Sequence, residues 1–334
     1  FKKADEMITT ILDLYENRHD VTLTTYLLAD SPEMLNGKKR PGVLICPGGA
    51  YLGCSDREAE PVALRFAAMG YHAFVLRYTT YFSGQFGEPP AVEDMPVNPK
   101  SVHPAPVRDI GKAFLTIREH ADEWLLDIKK IALCGFSAGG HNCAMYSVYW
   151  NKPLITDHFG KDAALFKPAA ALIGYSLTDY HLTIRQTYNP VEAKIRQAAA
   201  IALLGTVEPD DALLTEVSPA LHVTAETPPT FIWATAADTL VPVEHSTRMA
   251  TSLAQAGVPF EVHIFEEGMH GLSLADHATA NSQIQINKDA AKWIPLAEAW
   301  LKKRFAFSLP EKPAWMAMME INNNEKRMQN DERI

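Results

Sequence analysis

Cysteine is scarce in this chain: four in 334 residues, Cys46, Cys54, Cys134 and Cys143. They form no paired Cys-x-x-Cys sets, which argues against a structural zinc site. Cys46 and Cys134 fall in apolar segments, where a free thiol behaves as a small hydrophobe. Such usage suggests a reducing compartment. No apolar run approaches the roughly 20 residues of a membrane span. Positive charge is also in deficit, with 31 Lys and Arg against 40 Asp and Glu and a formal charge of −9. No basic cluster looks like a nucleic-acid footprint, so neither nucleic acid nor membrane is an expected partner. There is no internal repeat and no low-complexity tract. The amino end, FKKADEMITTILDLYEN, carries charges on both sides of a short apolar set and has no signal-peptide core. It does not begin with methionine, which leaves open a removed segment. A cytoplasmic location is the resulting expectation.

Hydrophobic residues make up 47% of the chain and charged residues 21%, ordinary proportions for a globular protein. Short apolar strands alternate with helical periods. DVTLTTYLLAD, RPGVLIC, YHAFVLRY, KIALCGF, AALIGYS, FIWATAAD and PFEVHIF read as strands. EAEPVALRFAAMG, VRDIGKAFLTIREHADEW, VEHSTRMATSLAQAG and a segment ending near LAEAWLKKRF read as helices. The alternation predicts an α/β fold with a mostly parallel central sheet and helices on both faces. Two stretches break the rhythm. Residues 79–106 are rich in Pro and Gly, and residues 178–226 are long, helical and loop-like, so both are expected to form cap or lid insertions, with Tyr81, Phe82, Phe86, Tyr180 and Tyr188 as candidate pocket-wall residues. One domain is expected over 1–309. The tail 310–334 lies outside the core pattern and is a candidate oligomer arm.

The stretch KIALCGFSAGGHN poses the chemical question. Ser137 lies between Gly135 and Gly139 in a Gly-x-Ser-x-Gly spacing at a strand-to-helix junction. Such a turn strains the central residue and presents its hydroxyl at the strand's carboxyl end. The next amide, that of Ala138, begins a helix, where backbone N–H groups have no intrahelical partner. A plain junction built from small residues for close packing would look similar over these five residues.

A serine nucleophile needs a base, and the base needs an orienting acid. In parallel sheets these belong on loops after strands. Asp238 follows FIWATAAD on such a loop, although an Asp here would also serve as a simple cap for the next helix. Asp210 and Asp211 are rivals inside the insertion, and Glu244 is a nearer rival in the following helix. Among twelve histidines, His270 stands out because Gly268 and Gly271 flank it after the strand EVHIF. His263 within that strand and His141 after Ser137 suit structural roles better. The chain order Ser137, Asp238, His270 is that of an α/β-hydrolase triad. Gly48 and Gly49, after RPGVLIC, let the backbone approach a substrate oxygen and are candidate oxyanion donors together with Ala138. Ala50 is an alternative donor.

These motifs together (PGGAY, GFSAGGH, SPALHVTAETPPTFIWATAADTLVPVEHS and VPFEVHIFEEGMHGLSLAD) resemble the bacterial carboxylesterases of the acetylxylan-esterase and feruloyl-esterase-like branch of the α/β-hydrolases. The resemblance runs over roughly residues 20–305. It implies serine carboxylesterase activity by an acyl-enzyme mechanism on short-chain esters, including acetyl groups on sugars or xylo-oligosaccharides. It matches Ser137 to the nucleophile, Asp238 to the acid, His270 to the base, and Gly48, Gly49 and Ala138 to the oxyanion hole. No metal and no organic cofactor is implied. The chain departs from the family where His-Gly-Gly-Gly is usual and Pro47-Gly48-Gly49-Ala50 stands instead, which removes a histidine that would brace the turn. Two other readings use the same residues: a serine peptidase-like hydrolase, and a non-catalytic ligand-binding relative.

Overall fold

The computed structural model describes residues 6–83 and 91–307 and, beyond these, 309–313, 315, 316 and 319. Eight strands form one sheet, in chain order β1 (Ile8–Tyr15), β2 (Arg18–Leu27), β3 (Arg40–Cys46), β4 (His72–Arg77), β5 (Leu126–Phe136), β6 (Ala170–Gly174), β7 (Thr230–Thr235) and β8 (Phe260–Phe265). Their spatial order is β1-β2-β4-β3-β5-β6-β7-β8. β1 and β2 are antiparallel to each other, and β2 is antiparallel to β4. From β4 through β8 every pairing is parallel.

The central strands are buried on both faces, which is why they read as unbroken apolar runs. In β3, Leu44 and Cys46 join one core cluster and Val43 and Ile45 the other. Two helices, α1 (Glu60–Ala68) and α9 (Trp293–Lys302), pack on one face through Phe66, Trp293 and Trp300. On the other face lie α2 (Ala105–Glu119) and α3 (Ser137–Tyr149), through Phe114 and Tyr146. A short helix, α4 (Pro153–Phe159), follows α3, and α8 (Glu244–Gln255) covers β7 through Met249 and Leu253.

The insertion at 178–226 carries three helices, α5 (Tyr180–Arg185), α6 (Pro190–Leu204) and α7 (Asp211–Glu216). Each is locally specified. Asn189 accepts from the amides of Val191 and Glu192, and Glu192 reciprocates, so α6 opens with a capping box and Pro190 in its first turn. Asp179 and Asp210 cap α5 and α7.

β1 departs from the sequence expectation. Its first four residues are exposed, as suits an edge strand, so the segment has no alternation to reveal it. Among the described residues no helix is long and apolar enough to cross a membrane.

Candidate active site

Ser137 sits where β5 becomes α3, with φ of 50°, a left-handed value that a serine adopts only under constraint. The flanking glycines are there for space. A Cβ on Gly139 would lie 2.1 Å from the Cys46 carbonyl oxygen, and one on Gly135 would lie 2.4 Å from that of Gly139. β3, β5 and α3 therefore meet at this turn more closely than side chains permit.

His270 Nε2 lies 2.8 Å from Ser137 Oγ, and His270 Nδ1 lies 2.7 Å from Asp238 Oδ2. The three residues come from the turns after β5, β7 and β8. Asp238 has two tasks. Its Oδ1 accepts from the amides of Leu240 and Val241, at 3.0 and 2.9 Å, so it also holds its own loop. Its carboxylate is fully shielded, while the His270 side chain keeps 15% exposure on the cleft side. Burial by itself would lower the His270 pKa. The charge and hydrogen bond of Asp238, with smaller contributions from Glu58 and Glu192, outweigh it, and the imidazole stands above its ordinary 6.5.

The rival groups lie elsewhere. Glu244 is exposed at the start of α8. Asp210 caps α7, and Asp211 faces His181. His263 pairs with Glu261 on β8.

The oxyanion turn calls for a correction. The Gly48 amide donates to the buried Glu58 Oε2 at 2.7 Å and is thereby committed, so Gly48 is not an oxyanion donor. It is glycine because a Cβ would come within 2.8 Å of the Phe136 carbonyl oxygen and 2.9 Å of Ser137 Cβ. Gly49 and Ala50 border the cleft beside Ser137. Ala138 lies in the first turn of α3 and borders the adjoining cavity.

The brace that His-Gly-Gly-Gly would supply is replaced from several directions. Tyr78 donates to the Pro47 carbonyl at 2.7 Å. The Tyr51 hydroxyl meets His141 Nδ1 at 2.5 Å, and His141 Nε2 meets the Val217 carbonyl at 2.8 Å. Burial pushes the His141 pKa down to about 3. The ring is thus neutral, accepting from Tyr51 and donating to Val217, and it joins the turn to the insertion. The amides of Tyr81 and Phe82 donate to the carbonyls of Tyr51 and Leu52. Glu58, Tyr175 and the Tyr51–His141 pair carry no local sequence signal. Glu58 is one acid among several in SDREAEP.

Two spaces open from Ser137. One is a polar cleft of about 990 Å³ that includes His19, Asp20, Arg57, Arg77 and Asn281. The other is a cavity of about 340 Å³ beneath the insertion, with Tyr180, Ile184, Tyr188, Ala200 and Leu214 among its walls. Ile195 and Leu240 border both. The insertion at 79–106 gives the polar cleft Ser83 and gives the cavity none of its described residues. Tyr81 and Phe82 instead pack edge to face on one another against the core. Phe86 lies outside the described residues.

A family model described as BD-FAE matches residues 32–253. The chain belongs to the BD-FAE family. Among curated relatives it is similar to an endo-1,4-beta-xylanase B of Butyrivibrio fibrisolvens, 33% identical over 243 residues, covering 71% of this chain and 33% of that protein. The chain spans 33% to 49% of the length of the curated relatives it matches. Among solved structures it is similar to the carboxylesterase Cest-2923 of Lactobacillus plantarum, with a TM-score of 0.71 and 27% identity, covering 91% of this chain and 100% of that one. It is likewise similar to an acetyl ester-xyloside bifunctional hydrolase of Caldicellulosiruptor lactoaceticus, with a TM-score of 0.68, 27% identity and coverage of 90% and 98%. These relatives and neighbours agree with the α/β-hydrolase esterase branch that the motifs resemble.

Proposed function

We propose that this BD-FAE chain is a serine carboxylic ester hydrolase working through an acyl-enzyme. The observation that carries the reading is the continuous line Ser137 Oγ, His270 Nε2, His270 Nδ1, Asp238 Oδ2, at 2.8 and 2.7 Å, opening on a cleft. Ser137 Oγ attacks the ester carbonyl as His270 takes its proton. Asp238 holds the imidazole in the tautomer that accepts at Nε2 and stabilises the cation that forms. The oxyanion is met by the amide of Ala138 and, on the opposing turn, those of Gly49 and Ala50. His270 then gives its proton to the departing alcohol. Water, deprotonated by the same imidazole, attacks the acyl-enzyme and releases the acid. No step draws on a metal or organic cofactor.

The two spaces support a division of the substrate. The acyl chain enters the apolar cavity beneath residues 178–226, and a polar alcohol, such as an acetylated sugar or xylo-oligosaccharide, occupies the polar cleft. Short acyl groups remain the first assignment, and the cavity extends the range upward from acetyl. One hydrolase domain over residues 1–309, with these insertions as its cap, is part of the proposal. So are a cytoplasmic location, supported by four free and buried cysteines, and self-association through the tail 310–334, which lies largely outside the described residues. A complete hydrogen-bonded triad favours this reading over a non-catalytic binding relative.

The deciding experiment combines a fluorophosphonate label with assays on aryl acetates and acetylated xylo-oligosaccharides. Labelling at Ser137 and ester turnover are expected, and both vanish in Ser137→Ala. Turnover that persists in Ser137→Ala overturns the assignment. Turnover of peptides in preference to esters favours the peptidase reading.

A further inference from the structure

We propose that Glu58 is a positioning residue for ester hydrolysis, its buried carboxylate locking the oxyanion turn to the loop that carries His270. The inference rests on the function proposed above and concerns a residue outside the triad. Glu58 lies between β3 and α1 and is only 3% exposed. Its Oε2 accepts from the Gly48 amide at 2.7 Å, and its Oε1 accepts from the Tyr175 hydroxyl at 2.6 Å. The Tyr175 hydroxyl in turn accepts from the Ser273 amide at 2.9 Å. Tyr175 stands just after β6 with φ of 34°, and its ring meets His270 edge to face at 5.1 Å. A single carboxylate thus gathers the turns that follow β3, β6 and β8, three of the strand ends around Ser137.

Placing a carboxylate here is costly unless its oxygens are satisfied. Both are, by donors. Each oxygen receives a donor hydrogen, an arrangement that suits the ionised form. Burial raises its pKa above the ordinary carboxylate value, and the hydrogen bonds from Tyr175 and Gly48 and the neighbouring His270 and Arg57 charges offset only part of that rise. An apolar residue would fill the same space but would leave the Gly48 N–H and the Tyr175 O–H without their acceptor. It would also free the Gly48–Gly49–Ala50 turn to shift relative to Ser137. Shifts of about 1 Å in a catalytic array can cost about 100-fold in rate.

The test is Glu58→Gln, which keeps size and shape but presents one acceptor and one donor to two donors. Tyr175→Phe cuts the chain on its other side. Activity is expressed per fluorophosphonate-titratable site, with thermal midpoints recorded alongside. In Glu58→Gln, kcat is expected to fall about 10- to 100-fold with KM within about twofold. The affinity of phenylboronic acid, whose tetrahedral serine adduct uses the same turn, is expected to fall in parallel. Tyr175→Phe is expected to lose less, and the double variant to be no worse than Glu58→Gln, because the two act in one chain. An unchanged kcat per titrated site, or unchanged boronate affinity in folded Glu58→Gln, overturns the proposal. Should Glu58→Gln fail to fold, Tyr175→Phe decides: wild-type kcat and boronate affinity there overturn it, and their loss at a retained thermal midpoint supports it. A wild-type protein without ester turnover or labelling would instead defeat the function proposed above.

Discussion

Asp238 divides its carboxylate among three partners: Oδ2 takes the Nδ1 side of His270 at 2.7 Å, and Oδ1 takes the amides of Leu240 and Val241. The acid's loop and the base's orientation are therefore set by one side chain. Asp238→Asn keeps much of the loop's shape but can offer an amide N–H to Nδ1, favouring the wrong tautomer. A fall in kcat of up to about 10⁴-fold is expected, with a small change in thermal midpoint. Steady-state kinetics and a melting curve check both. Equal losses in rate and folding would reassign Asp238 to loop structure.

The pH dependence follows from the same contact. His270 must be neutral to accept the serine proton, and its pKa is raised above 6.5 by Asp238, aided by Glu58 and Glu192. The acid limb of kcat/KM is therefore expected to have its midpoint above 6.5, with activity lost as pH falls through it. Removing the Asp238 charge lowers that pKa and moves the limb to lower pH in whatever activity remains. A pH–rate profile of wild type against Asp238→Asn tests the direction. A limb that moves upward contradicts it.

Gly48→Ala is a probe of the oxyanion turn that keeps all three triad side chains. The added Cβ meets Phe136 O, Ser137 Cβ and Glu58 Oε2, all within 3.0 Å, so the turn must move away from the elbow. A rate loss of about 10²- to 10³-fold, comparable with losing one oxyanion donor, is expected, together with weaker boronate binding. Near wild-type rates would mean that the turn does not face the oxyanion.

Much of this was legible in the sequence because the signals are local. A strand buried on both faces is an apolar run wherever it occurs, and a serine elbow demands its glycines within five residues. The three triad candidates each follow their own strand, so order and spacing were enough to single them out. What lay hidden is long-range or exposed. Glu58 and Tyr175 are 117 residues apart, and nothing near either distinguishes it from its neighbours. Gly48 and Gly49 look alike in sequence. Which amide faces the cleft depends on a carboxylate that folding brings in. β1 lacked a pattern because its outer residues face solvent.

Acyl preference should be set by α5, α6 and the loops beside them. The cavity of about 340 Å³ takes its walls from Tyr180, Ile184, Tyr188, Ala200 and Leu214 and exceeds what an acetyl group fills. Each further buried methylene is worth about 0.8 kcal/mol. Two of them, from acetate to butyrate, thus favour butyrate by up to about 15-fold in kcat/KM on a common leaving group. Ala200→Phe puts bulk into this cavity without touching the triad or the oxyanion turn, and it is expected to shift the ratio back toward acetate. Tyr81 and Phe82 are the control. They pack on each other against the core and not on the cavity, so replacing either with alanine should lower the thermal midpoint and leave the acetate-to-butyrate ratio where it was. The measurement is that ratio with melting curves for each variant. An unaltered ratio in well-folded Ala200→Phe would place the acyl chain in the polar cleft and reverse the assignment of the two spaces.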